Sequence, residues 1–248
     1  MEYHKRGLFF MALWNMFLQW LYPPHCLFCQ DLLKIGREAV LCSDCHNVFS
    51  YNDGAVCQKC GCNLYVSQIY CDRCEKADFV FEKGIAAFSY DKVRDGIAHF
   101  KLKGWKRDAK PFAHMMGDYL LTCYPEMAQK SDLIMPVPIH DKKQKKRGFN
   151  QSELLAVELA ERIQKRCSAK NLKRIRETIP QSSLSAKERK ENIKNAFALE
   201  NPHEIQQKTI LLIDDIFTTG TTINECARVL YENGAKAVFS FCLSVVEQ

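Results

Sequence analysis

Beyond residue 82 the chain alternates between two textures. Residues 133–137 (LIMPV) and 208–213 (KTILLI) are short, nearly continuous apolar runs, the length of a strand buried on both faces. Residues 152–165 instead repeat apolar side chains every three to four positions, as an amphipathic helix does. Residues 95–123 carry the same helical period, with a break expected near Pro111. Residues 222–233 predict a further helix ended by Gly234, and residues 237–245 a further strand. Strands alternating with helices imply a mostly parallel α/β sheet flanked by helices.

The pattern before residue 82 is different. Residues 8–21 (LFFMALWNMFLQWL) form one apolar block behind His4, Lys5 and Arg6. At about 14 residues it falls short of the ~20 needed to cross a bilayer, Asn15 and Gln19 interrupt it, and no small-residue cleavage site follows. On a helix, Leu8, Ala12, Asn15 and Gln19 make a narrow, weakly polar stripe. The expectation for residues 1–24 is an apolar helix packed on a neighbouring domain, with peripheral membrane contact as the alternative.

Residues 25–78 have a chemistry of their own. Nine of the chain's 13 cysteines fall between Cys26 and Cys74. Eight of them pair as Cys26-x-x-Cys29, Cys42-x-x-Cys45, Cys57-x-x-Cys60 and Cys71-x-x-Cys74, with 12 residues between the first two knuckles and 10 between the last two. Two residues between thiols let a tight turn aim both sulfurs at one ion, and two such turns supply the four thiolates of a closed structural zinc site. The simplest pairing is knuckle one with two and three with four, and a crossed pairing stays open. A disulfide framework would need an oxidising compartment, for which the sequence carries no export signal, so a cytoplasmic setting is expected. A redox role for one knuckle is disfavoured because none sits between a strand and a helix. Cys62, His25 and His46 are read as bystanders. With every position on the metal taken by sulfur, the module is expected to hold structure and make contacts, and Tyr51, Tyr65, Tyr70 and Arg73 are candidates for those contacts.

The chain's +6 formal charge is unevenly spread. Residues 130–194 hold 17 Lys/Arg against 8 Asp/Glu, which leaves the remainder slightly acidic. Such a region suits phosphates or nucleic acid, or is simply a set of solvated faces. Overall 47% of residues are apolar and 26% charged, enough to bury a true core and far from a disordered composition.

The most informative run is residues 209–222, TILLIDDIFTTGTT, in which an apolar strand ends in two acids and a hydroxyl-rich turn opens a helix. In open α/β sheets ligands sit beyond the carboxyl ends of strands, so Asp214 and Asp215 should reach the site, suited to accept hydrogen bonds from vicinal hydroxyls. Gly220 lets backbone amides approach a phosphate, Thr218, Thr219, Thr221 and Thr222 add hydroxyl donors, and the helix N-terminus adds unpaired N–H groups and its positive dipole end. Thr222 and Glu225 also fit a capping box.

This run resembles the motif by which type I phosphoribosyltransferases bind 5-phosphoribosyl-1-pyrophosphate (PRPP). Pro136-Val-Pro138, the run from Arg147 to Gln151, Thr178 to Gln181, Leu184-Ser185, Arg189, Asn192 and Ala196-Phe197 narrow the resemblance to the ComF family, whose competence-linked members carry cysteine knuckles ahead of such a domain. The resemblance implies a double zinc ribbon followed by a type I phosphoribosyltransferase-like domain at residues 82–248. It implies that Asp214 and Asp215 contact the ribose hydroxyls and act in catalysis if there is turnover, and that residues 218–222 hold the 5-phosphate. A basic loop carrying Lys142, Lys143, Lys145, Lys146 and Arg147 would hold pyrophosphate with Mg²⁺, and residues 173–197, with Arg189, would form a mobile flap. Lys101 and Lys103 resemble a further basic motif of the family. The family's link to competence makes single-stranded DNA the expected macromolecular partner, acting in its uptake or handling, with a competence helicase/ATPase as a candidate protein partner. The same DNA is expected along Lys142 to Arg147 and Arg174, Arg176, Lys187, Arg189 and Lys190. Two rivals stay open: a nucleobase salvage phosphoribosyltransferase, and a regulator that senses PRPP without turnover.

Overall fold

The computed structural model describes residues 14, 17, 18, 20, 21, 23–34, 39–52, 54–65, 68–102, 106–178 and 191–247. Most of residues 8–21, Lys103, and residues 179–190 of the expected flap, with Lys187, Arg189 and Lys190, lie outside the described residues. Within them the elements run α1 (Ser43–Asn47), α2 (Asp72–Glu75), β1 (Lys83–Ser89), α3 (Tyr90–Leu102), α4 (Ala109–Cys123), α5 (Pro125–Lys130), β2 (Leu133–Pro136), α6 (Asp141–Arg147), α7 (Gln151–Arg162), β3 (Arg166–Cys167), β4 (Leu172–Arg174), β5 (Phe197–Leu199), β6 (Thr209–Phe217), α8 (Thr221–Glu232) and β7 (Ala237–Val245).

Five strands form one parallel sheet in the order β1-β7-β6-β2-β3, while β4 and β5 make a separate antiparallel hairpin. The near-continuous apolar runs follow from this arrangement, because a parallel sheet is covered on both faces. Alternate residues feed two cores. Leu211, Ile213, Phe239 and Phe241 point into one with Phe100, Phe112 and Leu155 from α3, α4 and α7. Ile210, Leu212, Val238 and Cys242 point into the other with Ile223, Cys226 and Leu230 from α8.

The two cysteine groups join these cores on opposite sides. Cys26, Leu27 and Phe28 pack into the α3–α4 core, where Phe28 lies edge-on to Phe88 at 5.4 Å, whereas Cys57, Cys60, Cys71 and Cys74 pack into the α8 core. Tyr51, expected as a contact residue, stacks on Phe88 and Tyr119 instead. Tyr65 is 88% exposed.

Element boundaries depart from the sequence pattern in readable ways. The break in the long helical stretch comes before Pro111, not at it, since Pro111 lies in the first turn of α4, where its missing N–H would have no partner. The strand expected to end at Ile213 continues through both acids to Phe217, paired with β7 throughout. Residues 141–147, expected as loop, are a helix capped at its start by His140 and closed by Gly148 in the left-handed region, φ 86°. The capping box is not made. Gly220 is the N-cap of α8, and Glu225 instead accepts a hydrogen bond from the Asn195 amide at 2.7 Å.

Candidate functional site

The carboxyl ends of β6 and β2 lie side by side, Ile213 opposite Pro136, with Val137 N–H donating to the Ile213 carbonyl at 2.9 Å. The chain after β2 therefore leaves next to Asp214 and turns into α6, while β1 feeds α3, whose last turn brings Lys101 to the same place. Three connections converge on one end of the sheet, as parallel topology dictates.

The two acids are not equivalent. Asp214 is half-buried, and one of its carboxylate oxygens accepts from Ser152 Oγ at 2.8 Å and from the Asp215 amide at 2.9 Å. Its pKa is pushed up to about 7 by burial, with the charge of Asp215 adding to the effect and the Ser152 bond and Lys101 opposing it. Asp215 pairs with the Lys101 ammonium at 2.9 Å. Ser152, fixed at the start of α7 by the Asn150 side chain that caps its amide, is a site residue the sequence did not single out.

Around the acids sits a group of cations. Burial lowers the Lys143 pKa, with the neighbouring charges of Arg147 and Lys101 acting in the same direction and Asp215 against it. Arg147 hydrogen-bonds Gln151, and burial lowers its pKa, with the charge of Asp215 acting against the shift. Arg174, from the β4–β5 hairpin, lies over the Phe197 ring at 5.7 Å and within electrostatic reach of Asp214; its Nε is buried with no hydrogen-bond partner among the described residues.

The five basic residues expected in one loop are spread around α6 by its helical period. Lys143 and the half-buried Arg147, four apart, share the face that feels Asp215, while Lys142 pairs with Glu177 at 2.5 Å; Lys143 is itself exposed, as are Lys145 and Lys146. Arg189 lies outside the described residues.

The turn from β6 to α8 forms the second half of the site. A pocket there is lined by Asp214, Ile216, Phe217, Thr218, Thr219, Gly220, Thr221, Thr222 and Ile223. Gly220 has φ 74°, and a Cβ at that position would lie 2.5 Å from Phe217 Cζ and 2.6 Å from Phe79 Cζ, so only glycine fits. No side chain caps the first turn of α8, and the Thr219 and Thr221 hydroxyls lie 2.9 Å apart. A helix N-terminus, hydroxyls and a glycine turn are the donors an anion needs.

The zinc ribbons are compact four-thiol groups. In each of the sets Cys26, Cys29, Cys42, Cys45 and Cys57, Cys60, Cys71, Cys74, the sulfurs lie within 4.8 Å of one another, which excludes a crossed pairing. The second set is wholly buried. Cys57 is drawn well below the ordinary thiol value by hydrogen bonds from Cys60, Cys62 and Cys74. Eight sulfurs in two tetrahedron-sized groups fit two structural zinc ions.

Fold and site together define a phosphoribosyltransferase-fold domain joined to a double zinc ribbon. The family models agree: "Double zinc ribbon domain" matches residues 17–75 and "Phosphoribosyl transferase domain" matches residues 149–245. The DNA utilization protein YhgH of Escherichia coli (strain K12) is 32% identical over 89% of this chain and 96% of its own length. Competence protein ComFC of Bacillus subtilis (strain 168) is 27% identical over 86% of this chain and 87% of its own. Among solved structures, a hypoxanthine phosphoribosyltransferase from Staphylococcus aureus aligns with 59% of this chain and 69% of its own at 18% identity, TM-score 0.35. The chain belongs to the ComF family, and is a competence-related protein with a phosphoribosyltransferase domain. Among the described residues no helix is long and apolar enough to cross a membrane.

Proposed function

We propose that the chain binds PRPP at the end of β6 and handles single-stranded DNA along the adjoining basic surface. The observation that carries this reading is the convergence of Lys101, Lys143, Arg147 and Arg174 on an acid pair that sits beside a glycine-and-threonine anion cradle. PRPP presents two vicinal hydroxyls, a 5-phosphate and a pyrophosphate, in all four or more negative charges. Asp215 and Asp214 accept from the hydroxyls, the first turn of α8 takes the 5-phosphate, and Lys143 and Arg147 lie where the pyrophosphate falls. The acid pair already holds one cation, the Lys101 ammonium, so the donor set suits Mg²⁺, which on binding with the pyrophosphate would neutralise its charge.

For DNA, the support is the exposed side of α6. Lys145 and Lys146 face solvent and are not needed for a pyrophosphate held by Lys143 and Arg147, and Arg176 on the β4–β5 hairpin is exposed as well. The names of the relatives, DNA utilization and competence, point to the same partner. Contacts to backbone phosphates imply weak base preference and strong salt dependence.

Fluorescence anisotropy of a labelled single-stranded oligonucleotide tests this reading. Binding should fall with salt at a slope of about −0.7 per phosphate contacted, and charge reversal at Lys142, Lys145 and Lys146 should abolish it. Displacement by PRPP would show a shared surface. No binding at low salt, together with turnover of PRPP against a radiolabelled base panel, would move the assignment to a nucleobase salvage enzyme.

A further inference from the structure

The second zinc ribbon contributes a side chain to the back of the anion cradle. Arg73 lies between two metal-site cysteines, Cys71 and Cys74, on the short helix α2. Its guanidinium donates from Nη1 to the Thr218 carbonyl at 2.6 Å and to the Val246 carbonyl at 3.2 Å, and from Nη2 to Cys60 Sγ at 3.5 Å. The same group lies over the Phe217 ring, 5.4 Å from its centroid. One planar fork thus bridges a metal-site sulfur and the first residue of the cradle, a geometry that lysine cannot reproduce.

The consequence for the loop follows from peptide geometry. A trans peptide is planar, so fixing the Thr218 oxygen toward the ribbon turns the Thr219 N–H the opposite way, away from it. The chain leaving the ribbon grips the other end of the turn. Asn224 in α8 accepts from the Val80 amide at 2.7 Å and donates to the Asp78 carbonyl at 3.1 Å. Phe79 fills the space that forbids a side chain at Gly220, and Lys59, between Cys57 and Cys60, donates to the Phe79 carbonyl at 3.4 Å.

We propose that Arg73 is a positioning residue that couples the metal state of the Cys57, Cys60, Cys71, Cys74 group to anion binding in the 218–222 loop, so that zinc in this ribbon and a sugar phosphate in the loop stabilise each other. The coupling rests on the reading of that loop as a phosphate site, and linkage makes it reciprocal. The first ribbon, packed in the opposite core, is not part of it.

The test uses the full-length, zinc-loaded chain, Arg73→Ala and Arg73→Lys, with ribose 5-phosphate as the probe. Amide exchange at Asn224 and Val246, whose N–H groups bond the Gly220 and Phe217 carbonyls, reads loop order without any ligand. It should quicken about tenfold in Arg73→Ala, and ribose 5-phosphate affinity should fall by a similar factor. Ribose 5-phosphate should also slow chelator extraction of one of the parent's two zinc ions, an effect that both variants lose. Should Arg73→Ala fail to fold, Arg73→Lys, which keeps the charge and loses the fork, gives the same readouts. Parent-like exchange and undiminished ligand protection of zinc in the variants would overturn the coupling. A parent that binds no ribose 5-phosphate would overturn the phosphate reading of the loop, and the exchange rates would still decide whether Arg73 orders it.

Discussion

Asp214→Asn should strengthen the fold and weaken the site, and the size of the first effect should depend on pH in a defined way. Burial, with the Asp215 charge beside it, raises the Asp214 pKa from 3.8 to about 7, while the Ser152 hydroxyl, the Asp215 amide and the Lys101 ammonium recover only part of the cost. Between those two values the folded chain binds more protons than the unfolded chain. The stability tied to the neutral carboxyl is therefore fully present below pH ~4 and is lost as pH rises through ~7. A shift of about three units limits the total to about 4 kcal/mol, and the portion lost between pH 6 and 8.5, a range that spares the zinc thiolates, is on the order of 1 kcal/mol. Asparagine has the same shape and no charge to bury. Urea unfolding of zinc-saturated parent and variant at pH 6, 7 and 8.5 should show the variant's advantage growing by about that amount. A difference that stays constant across the range would mean that Asp214 is not ionising in a buried site, and the argument from its pKa would fall.

Three other outcomes are expected. Gly220→Ala should lose about 1–3 kcal/mol of stability in the same unfolding assay, because a Cβ there meets both Phe217 and Phe79 in a left-handed backbone, and it should bind no sugar phosphate detectable by calorimetry. Elemental analysis of a fresh, unchelated preparation should give two zinc per chain, and well under one would refute the ribbon assignment. Lys101→Met, which removes the ammonium from Asp215 but keeps the stem, should weaken PRPP binding about tenfold by titration at low salt, with the deficit shrinking as salt is raised.

The parallel sheet was legible because a strand buried on both faces has to be apolar at nearly every position, and β2, β6 and β7 are. The four knuckles were legible from their spacing, but which knuckles share a site was not, since the sequence left a crossed pairing open until the sulfurs were seen to group one with two and three with four. Helical residues 141–147 were not: a run of lysines carries no apolar stripe, and only the His140 and Gly148 caps mark the ends. Ser152 escaped altogether, and Arg174 and Arg73 were expected only as a DNA contact and a module contact, for a shared reason. Each reaches the site from an element distant in sequence, and the side chain that each meets, Asp214 or the Thr218 backbone, is brought near only by the closed sheet. Arg73 was read as a contact residue because a module with every metal position taken by sulfur is expected to hold structure and make contacts, and the two ribbons prove to be built into opposite cores. The capping box at Thr222 and Glu225 was a real local option, overridden because Glu225 is better used in holding the Asn195 amide of the hairpin.

The central claim is that Asp214, Asp215 and the 218–222 turn form a PRPP site, and calorimetric titration of zinc-loaded protein with PRPP and Mg²⁺ tests it most directly. The parent should bind one PRPP per chain, the affinity should drop when Mg²⁺ is withheld, and Asp214→Ala with Asp215→Ala should weaken binding at least tenfold, the loss expected when charge-assisted hydrogen bonds of about 1.5–3 kcal/mol each are removed. A folded, zinc-replete double variant that binds PRPP as tightly as the parent would contradict the account.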